Sequence, residues 1–446
     1  MKMTEKSNVN NESRRKFVRN SALVVGGGVL ASTLPVGASA YVRGDDTIKV
    51  AVIGCGGRGT GAAVQALSAE GNIQLVAMAD AFRDNLDKKF DILAKKFEGT
   101  DKVKVPEKNK FTGFNAYKKA IDKADVVILT TPPGFRPIHF EYAVNAGKHI
   151  FMEKPVATDA NGVRKVLEMA KIAKQKKLNV VVGLQRRYQI SYLETFKRIQ
   201  DGAIGDIVSG QVYWNGGGVW VRPREAGQTE MEYQMRNWYY FNWLCGDHIL
   251  EQHIHNIDVA NWMIGSYPVS AQGFGGREVR KGIDHGEIFD HHAVEFTYAG
   301  GQVISSQCRH QPGCHSQVRE QFQGTNGSFK TQGDKATLSD PSGDTIYNHK
   351  GLNDPDPYQV EHDRLFANIQ NGGEPINNAE YGAQSTMTAI LGRNATYSGK
   401  VVSWDDALAS TKSIMPNEFA WDANPPTMPD ANGKYPIPVP GVTEVI

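Results

Sequence analysis

The chain has 446 residues, 40% of them hydrophobic and 22% charged, which is ordinary globular usage and enough for two domains with cores of their own. A formal net charge of +2, with no long basic run beyond the N-terminal segment, excludes nucleic acid as an expected partner. Four cysteines (Cys55, Cys245, Cys308 and Cys314) lack paired C-x-x-C spacing; this excludes a zinc ribbon or disulfide scaffold and leaves free thiols as the expectation, although Cys308 and Cys314 could bridge in an oxidising compartment.

The first 40 residues read as a targeting segment. Ser13-Arg14-Arg15-Lys16-Phe17 precedes a weakly apolar run from Ala22 to Val36, and Ala38-Ser39-Ala40 is a small-x-small cleavage site. The run is Gly-rich, broken by Pro35 and shorter than the roughly 20 apolar residues of a spanning helix, so no permanent membrane anchor is expected. The paired arginines resemble a twin-arginine signal, a route for proteins that fold before export. This predicts a periplasmic protein whose mature chain starts near Tyr41.

Next come IKVAVI (48–53), a buried parallel strand by its continuous apolar run, then a glycine loop and the helical AAVQALSAE. IQLVAMAD ends at Asp80, followed by a basic helical stretch, the strand-like DVVILTTPP, a helix through HFEYAVNAG, the strand-like KHIFMEKP, a helix from about Asp159 to Lys176, and NVVVGLQRRY. Strands alternating with helices predict a doubly wound parallel sheet of the Rossmann type over residues 46–183. From about Ile204 the runs lengthen and alternate, as in DIVSGQVYW and HAVEFTYAGGQVISSQCRH, predicting a C-terminal α+β domain (184–420) built on a large, mostly antiparallel open sheet. Residues 421–446 are Pro-rich and predict an arm lying over their own or a neighbouring subunit. A homo-oligomer, dimer or tetramer, is expected.

Gly54, Gly56 and Gly59 fit G-x-G-x-x-G between strand and helix: the first for the turn, the second for close approach of a pyrophosphate, the third for helix packing. Gly57 and Arg58 lie in the same loop. Asp80, about 20 residues on, is placed to accept hydrogen bonds from a ribose and to repel a 2′-phosphate, so the cofactor is predicted to be NAD, with Arg83 close enough to soften the preference. Thr131, Pro132, Glu153, Lys154 and Gln185 follow later strands at the same sheet edge and complete the predicted cofactor contacts.

Glu153-Lys154-Pro155 ends a strand on the edge where open α/β sheets bind ligands, and a lysine there can hold a substrate hydroxyl. Together with the glycine loop, TTPP, AGKHIFMEKPVA and the switch to a sheet-rich second domain, this resembles the glucose-fructose oxidoreductase / inositol dehydrogenase / MocA family over nearly all of the mature chain. The resemblance implies a catalytic or substrate-orienting role for Lys154.

In CGDHILEQHIHNIDVANWMIG (245–265), Asp247, Glu251, His255 and Asp258 recur at helical steps and predict one face of a helix, on which an acid one turn before a histidine can hold the imidazole. The family's usual pattern is Asp-x-x-x-His with the histidine as general base; it falls on His255, while Glu251 replaces the aspartate and is expected either to orient His255 or to bind a sugar hydroxyl. His248, His253, His291 and His292 raise the question of a metal, but the spacing is not that of a ligand set and none is predicted. Arg186, Arg187, Arg236 and Trp238, with Trp214, Trp220 and Trp243, are candidates for a carbohydrate cleft.

The expected function is an exported, NAD-dependent oxidoreductase acting on a sugar or glycoside hydroxyl with a tightly held cofactor. Two alternatives are a redox-assisted glycosidase, similar to the NAD-dependent α-N-acetylgalactosaminidases of this family, and a non-catalytic NAD-binding sensor, against which the intact Lys154 and His255 argue.

Overall fold

The computed structural model describes residues 47–446; the expected export signal, cleavage site and mature start near Tyr41 lie outside the described residues. No helix among the described residues is long and apolar enough to cross a membrane.

Six strands form the first sheet: β1 (Ile48–Ile53), β2 (Ile73–Asp80), β3 (Lys110–Thr112), β4 (Val126–Leu129), β5 (His149–Met152) and β6 (Val180–Val182). Their order is β3-β2-β1-β4-β5-β6 and all pairs are parallel. β4 and β6 are wholly buried, as expected of a sheet covered by helices on both faces. The order reverses between β2 and β4 about β1, and the carboxyl ends of those strands open the crevice in which such sheets bind ligands. The helix Ala160–Gln175 starts where the sequence predicts, capped by the Asp159 carboxylate, which accepts from Gly162 N at 2.8 Å.

The second sheet has nine strands: β7 (Ile207–Gly216), β8 (Pro268–Gly276), β9 (His291–Tyr298), β10 (Val303–His310), β11 (Gln317–Gly324), β12 (Gly327–Gln332), β13 (Lys335–Ser339), β14 (Thr345–His349) and β15 (Val402–Ser403). Their order is β14-β13-β12-β11-β7-β10-β9-β8-β15, and only β7–β10 is a parallel pair. The inner face packs on the helices Ile254–Ile264 and Ala379–Ser398, the latter buried along almost its whole length. The helix Pro357–Asn371 returns to the first sheet, where Leu365, Phe366 and Ile369 join the core of β1 and β2. All four cysteines are free thiols, Cys314 exposed and the others buried.

Candidate active site

The glycine loop divides its labour by space. At Gly54, φ is +96° and a side chain would meet the Thr130–Thr131 backbone at 2.4 Å. A Cβ on Gly59 would fall 2.0 Å from the Gly54 carbonyl, so the helix Gly57–Ser68 can approach β1 only without one. At Gly56 and Gly57 nothing lies within 4 Å. The loop therefore closes tightly on the protein side and stays open beyond the helix N-terminus, the arrangement needed for a pyrophosphate on backbone amides. Asp80 ends β2 and ties the loop down: Oδ2 accepts from Cys55 N at 2.7 Å and Asn85 Nδ2 at 3.0 Å, and Oδ1 from Phe82 N at 2.9 Å. Burial pushes this carboxyl above its ordinary value, against the pull of those donors. Arg83 turns away to Asp87 and Glu107, so no free cation balances Asp80 from that position.

Arg58 spans the crevice. Its Nε donates to the buried Glu153 carboxylate and its guanidinium lies 4.9 Å from the Tyr358 ring centroid and 3.8 Å from Glu361. Glu361 is fully buried, neither of its oxygens has a hydrogen-bond partner, and burial holds it well above the usual carboxylate range. Thr131 and Pro132 follow β4. Thr131 is held by Arg136, whose Nη2 donates to its carbonyl at 2.6 Å while Nε donates to the Glu153 carbonyl at 2.9 Å. Arg136 was not singled out from the sequence. It fixes the ends of β4 and β5 relative to each other, and burial lowers its guanidinium to about 10. Gln185 follows β6 with its Oε1 buried and unpartnered, beside a cavity of about 340 Å³ also lined by Gln189, Asp334, Asp356 and Tyr358. These features fit a dinucleotide: amides with open space, a carboxylate at the end of β2 and an orphaned buried polar atom further along the edge.

Lys154, next on that edge and preceding a cis proline, points to the second domain. Its Nζ donates to the Glu251 backbone carbonyl and stands 3.2 Å from Glu251 Oε1. The segment predicted as one helix is broken. Asp247, at φ +75°, caps a short turn, His248–Glu251, and a second helix starts at Ile254. This interruption overturns the single-face reading. Asp247 turns into the interior, Asp258 pairs with Arg187, and Glu251 reaches Lys154 rather than the imidazole.

His255 is 5% exposed and stacks on Trp214 at 5.8 Å, and its Nδ1 has no hydrogen-bond partner. Burial first, then the charges of Lys154 and Arg186, hold it well below the ordinary imidazole value. It is therefore neutral at ordinary pH. Tyr239, also buried, has its hydroxyl raised by burial and then by the Glu251 charge.

The cleft candidates divide. Arg186 is buried against Glu320, and Arg187 is held by Asp258 at 2.8 and 2.9 Å between the rings of Trp262 and Tyr381, so both are committed to ion pairs inside the fold. Arg236 joins Glu232 at 2.9 Å to Asp84 at 3.2 Å, on the Asp80 side of the crevice. Trp243 is core, its Nε1 donating to Gln234 at 2.8 Å. Trp238 and Trp220 are partly exposed and pack together at 5.8 Å.

Asp247, His248 and His292 bring donor atoms within 4.8 Å of one another. The carboxylate there already accepts from His248 Nδ1 at 2.7 Å, Phe289 N at 2.9 Å and Tyr397 Oη at 2.6 Å, and burial lowers His248 to about 4. That chemistry suits a buried hydrogen-bond network better than a cation. His253 is held apart, bonded to Ser306 at 2.7 Å.

Residues 48–184 match the oxidoreductase family with the NAD-binding Rossmann fold, and residues 192–330 match the GFO/IDH/MocA C-terminal domain. The chain is 26% identical over 335 residues, 74% of its length and 90% of the relative's, to the inositol 2-dehydrogenase of Rhizobium meliloti (strain 1021). In fold it is similar to the aldose-aldose oxidoreductase of Caulobacter crescentus, at TM-score 0.62 and 18% identity, covering 80% of this chain and 99% of that one. A levoglucosan dehydrogenase solved with NADH and levoglucosan gives TM-score 0.61 at 18% identity and the same coverage.

Proposed function

Because the chain belongs to the GFO/IDH/MocA oxidoreductase family, with its NAD-binding Rossmann domain, we propose that it oxidises a secondary hydroxyl of a sugar or cyclic polyol. The observation that carries this reading is the Lys154–Glu251 pair beside a buried, neutral His255, on the sheet edge shared with the glycine loop. Lys154 holds the hydroxyl oxygen and stabilises negative charge on it. His255, its imidazole unprotonated, takes the hydroxyl proton, while the neighbouring Lys154 ammonium stabilises the alkoxide that forms. Glu251 positions the Lys154 ammonium. NAD, when bound, supplies the acceptor for the hydrogen on the carbinol carbon.

The N-terminal pattern supports export: Arg14 and Arg15 precede an apolar run and a small-x-small site. An exported enzyme meets no soluble NAD pool, so it carries its cofactor folded inside and keeps it. Export then depends on the arginine pair, and an Arg14→Lys/Arg15→Lys variant that reaches the periplasm as efficiently as the wild type contradicts this. Assembly into a dimer or tetramer would cover the open face of the nine-stranded sheet, where Phe274 is 73% exposed; a monomer mass by light scattering contradicts it.

The function is tested by incubating the purified protein with inositols, monosaccharides and aryl glycosides while following cofactor absorbance and aglycone release. Reduction of bound cofactor by a polyol or sugar is expected. Aglycone release with no net cofactor reduction would point instead to the redox-assisted hydrolysis considered above.

A further inference from the structure

The carboxyl ends of the first sheet carry aromatic residues on the segments that follow the strands: Phe82 two residues after β2, Phe114 two residues after β3, and Phe135 six residues after β4. The chain's last segment returns to this edge. Trp421 lies 5.2 Å from the Phe82 ring and 4.6 Å from Phe114, and Phe419 lies 6.0 Å from Phe114 and 5.3 Å from Phe135. From the other domain, Arg236 places its guanidinium 4.0 Å from the Phe82 ring and pairs with Asp84. The segment is anchored on both sides of Trp421. Upstream, Ile414 N donates to the Asp159 carboxylate at 3.2 Å. Downstream, Gln234 donates to the Thr427 carbonyl at 2.7 Å, Thr427 donates to Glu287 at 2.9 Å, and Tyr435 packs on Phe241 at 4.9 Å. Trp421, Phe82 and Phe114 nevertheless remain only partly buried, leaving aromatic surface beside the carboxylate that marks the adenosine ribose. Neither family match reaches this segment.

We propose that residues 410–446 are a strap whose Trp421 forms the outer wall of the adenine pocket and slows release of the dinucleotide. The inference rests on the NAD reading above and extends it to a residue that the Rossmann domain does not supply. A flat purine gains from an aromatic face, and Phe82 and Phe114 alone, without the strap, would stand open to solvent on that side. The anchors at Asp159, Gln234 and Glu287 are groups of the protein itself, so the wall does not depend on the cofactor for its position.

The test uses the full chain with Trp421→Ala and Trp421→Leu, the second keeping apolar packing but removing the flat ring. ADP-ribose affinity is measured by calorimetry and NADH release by fluorescence, alongside the unliganded thermal midpoint. Both variants are expected to bind ADP-ribose about tenfold more weakly and to release NADH faster by a similar factor, the usual scale of base–aromatic stacking. Wild-type ADP-ribose affinity in Trp421→Leu overturns the proposal and leaves Trp421 as interdomain packing. A wild-type protein that binds neither NADH nor ADP-ribose removes the NAD reading itself, and this inference with it.

Discussion

Lys154 Nζ stands 3.2 Å from Glu251 Oε1 and also donates to the Glu251 backbone carbonyl, so the residue aligned with the expected imidazole partner serves the lysine instead. Glu251→Gln keeps the shape and removes the charge. It is predicted to lower turnover by about tenfold, the scale of losing a charge-assisted hydrogen bond, while leaving the acid limb of the pH–rate profile in place. A displaced acid limb would show that Glu251 acts on His255 after all.

Gly56 and Gly59 separate binding from folding. Gly56→Ala adds a methyl group where nothing lies within 4 Å, so the thermal midpoint should match the wild type while NAD affinity falls at least tenfold. Gly59→Ala forces a Cβ to 2.0 Å from the Gly54 carbonyl and should destabilise by a few kcal/mol, about the cost of overpacking. Calorimetry on both variants checks this; equal effects on stability would contradict the division of roles.

Asp80, at the end of β2, is expected to repel a 2′-phosphate, and Arg83 is occupied by Asp87 and Glu107. Asp80→Asn retains an acceptor for Cys55 N and loses the repulsion. The ratio of NAD to NADP affinity is expected to fall by about tenfold or more. An unchanged ratio in a titration of both nucleotides would remove Asp80 as the discriminating group.

Burial holds His139 at about 3, His149 and His248 at about 4 and His310 at about 2. Their folded values lie below the unfolded value of about 6.5, so below that pH the unfolded chain binds protons that the folded chain cannot. Stability is therefore full above about pH 6.5 and falls as the solution is acidified toward pH 4. Glu361 and Glu287, raised by burial, act with the opposite sign and offset part of the loss. Scanning calorimetry should show the midpoint dropping through this window, and a flat or rising midpoint would contradict it.

Five strands of the parallel sheet were legible as largely apolar runs, such as those ending at Asp80 and Glu153, whereas the three-residue, incompletely buried edge strand β3 was not. The second sheet showed itself by alternation. Three further things were not legible. At the break at Gln252–His253, His253 N reaches back five residues to the His248 carbonyl at 3.2 Å, whereas side-chain periodicity continues across it unchanged. Arg186 and Arg187 look like free cleft cations until their carboxylates, Glu320 and Asp258, arrive from distant elements. The return of Leu365, Phe366 and Ile369 to the first core is likewise a tertiary choice: an amphipathic helix declares an apolar face but not the surface it will cover.

The measurement that bears most directly on the account is single-turnover reduction of bound NAD by His255→Ala, using the substrate found in the panel. Loss of a positioned base predicts a rate lowered by roughly 10²–10⁴ with fold and NAD affinity unchanged. A His255→Ala protein that reduces its cofactor at near wild-type rate would contradict the assignment of this buried imidazole as the base.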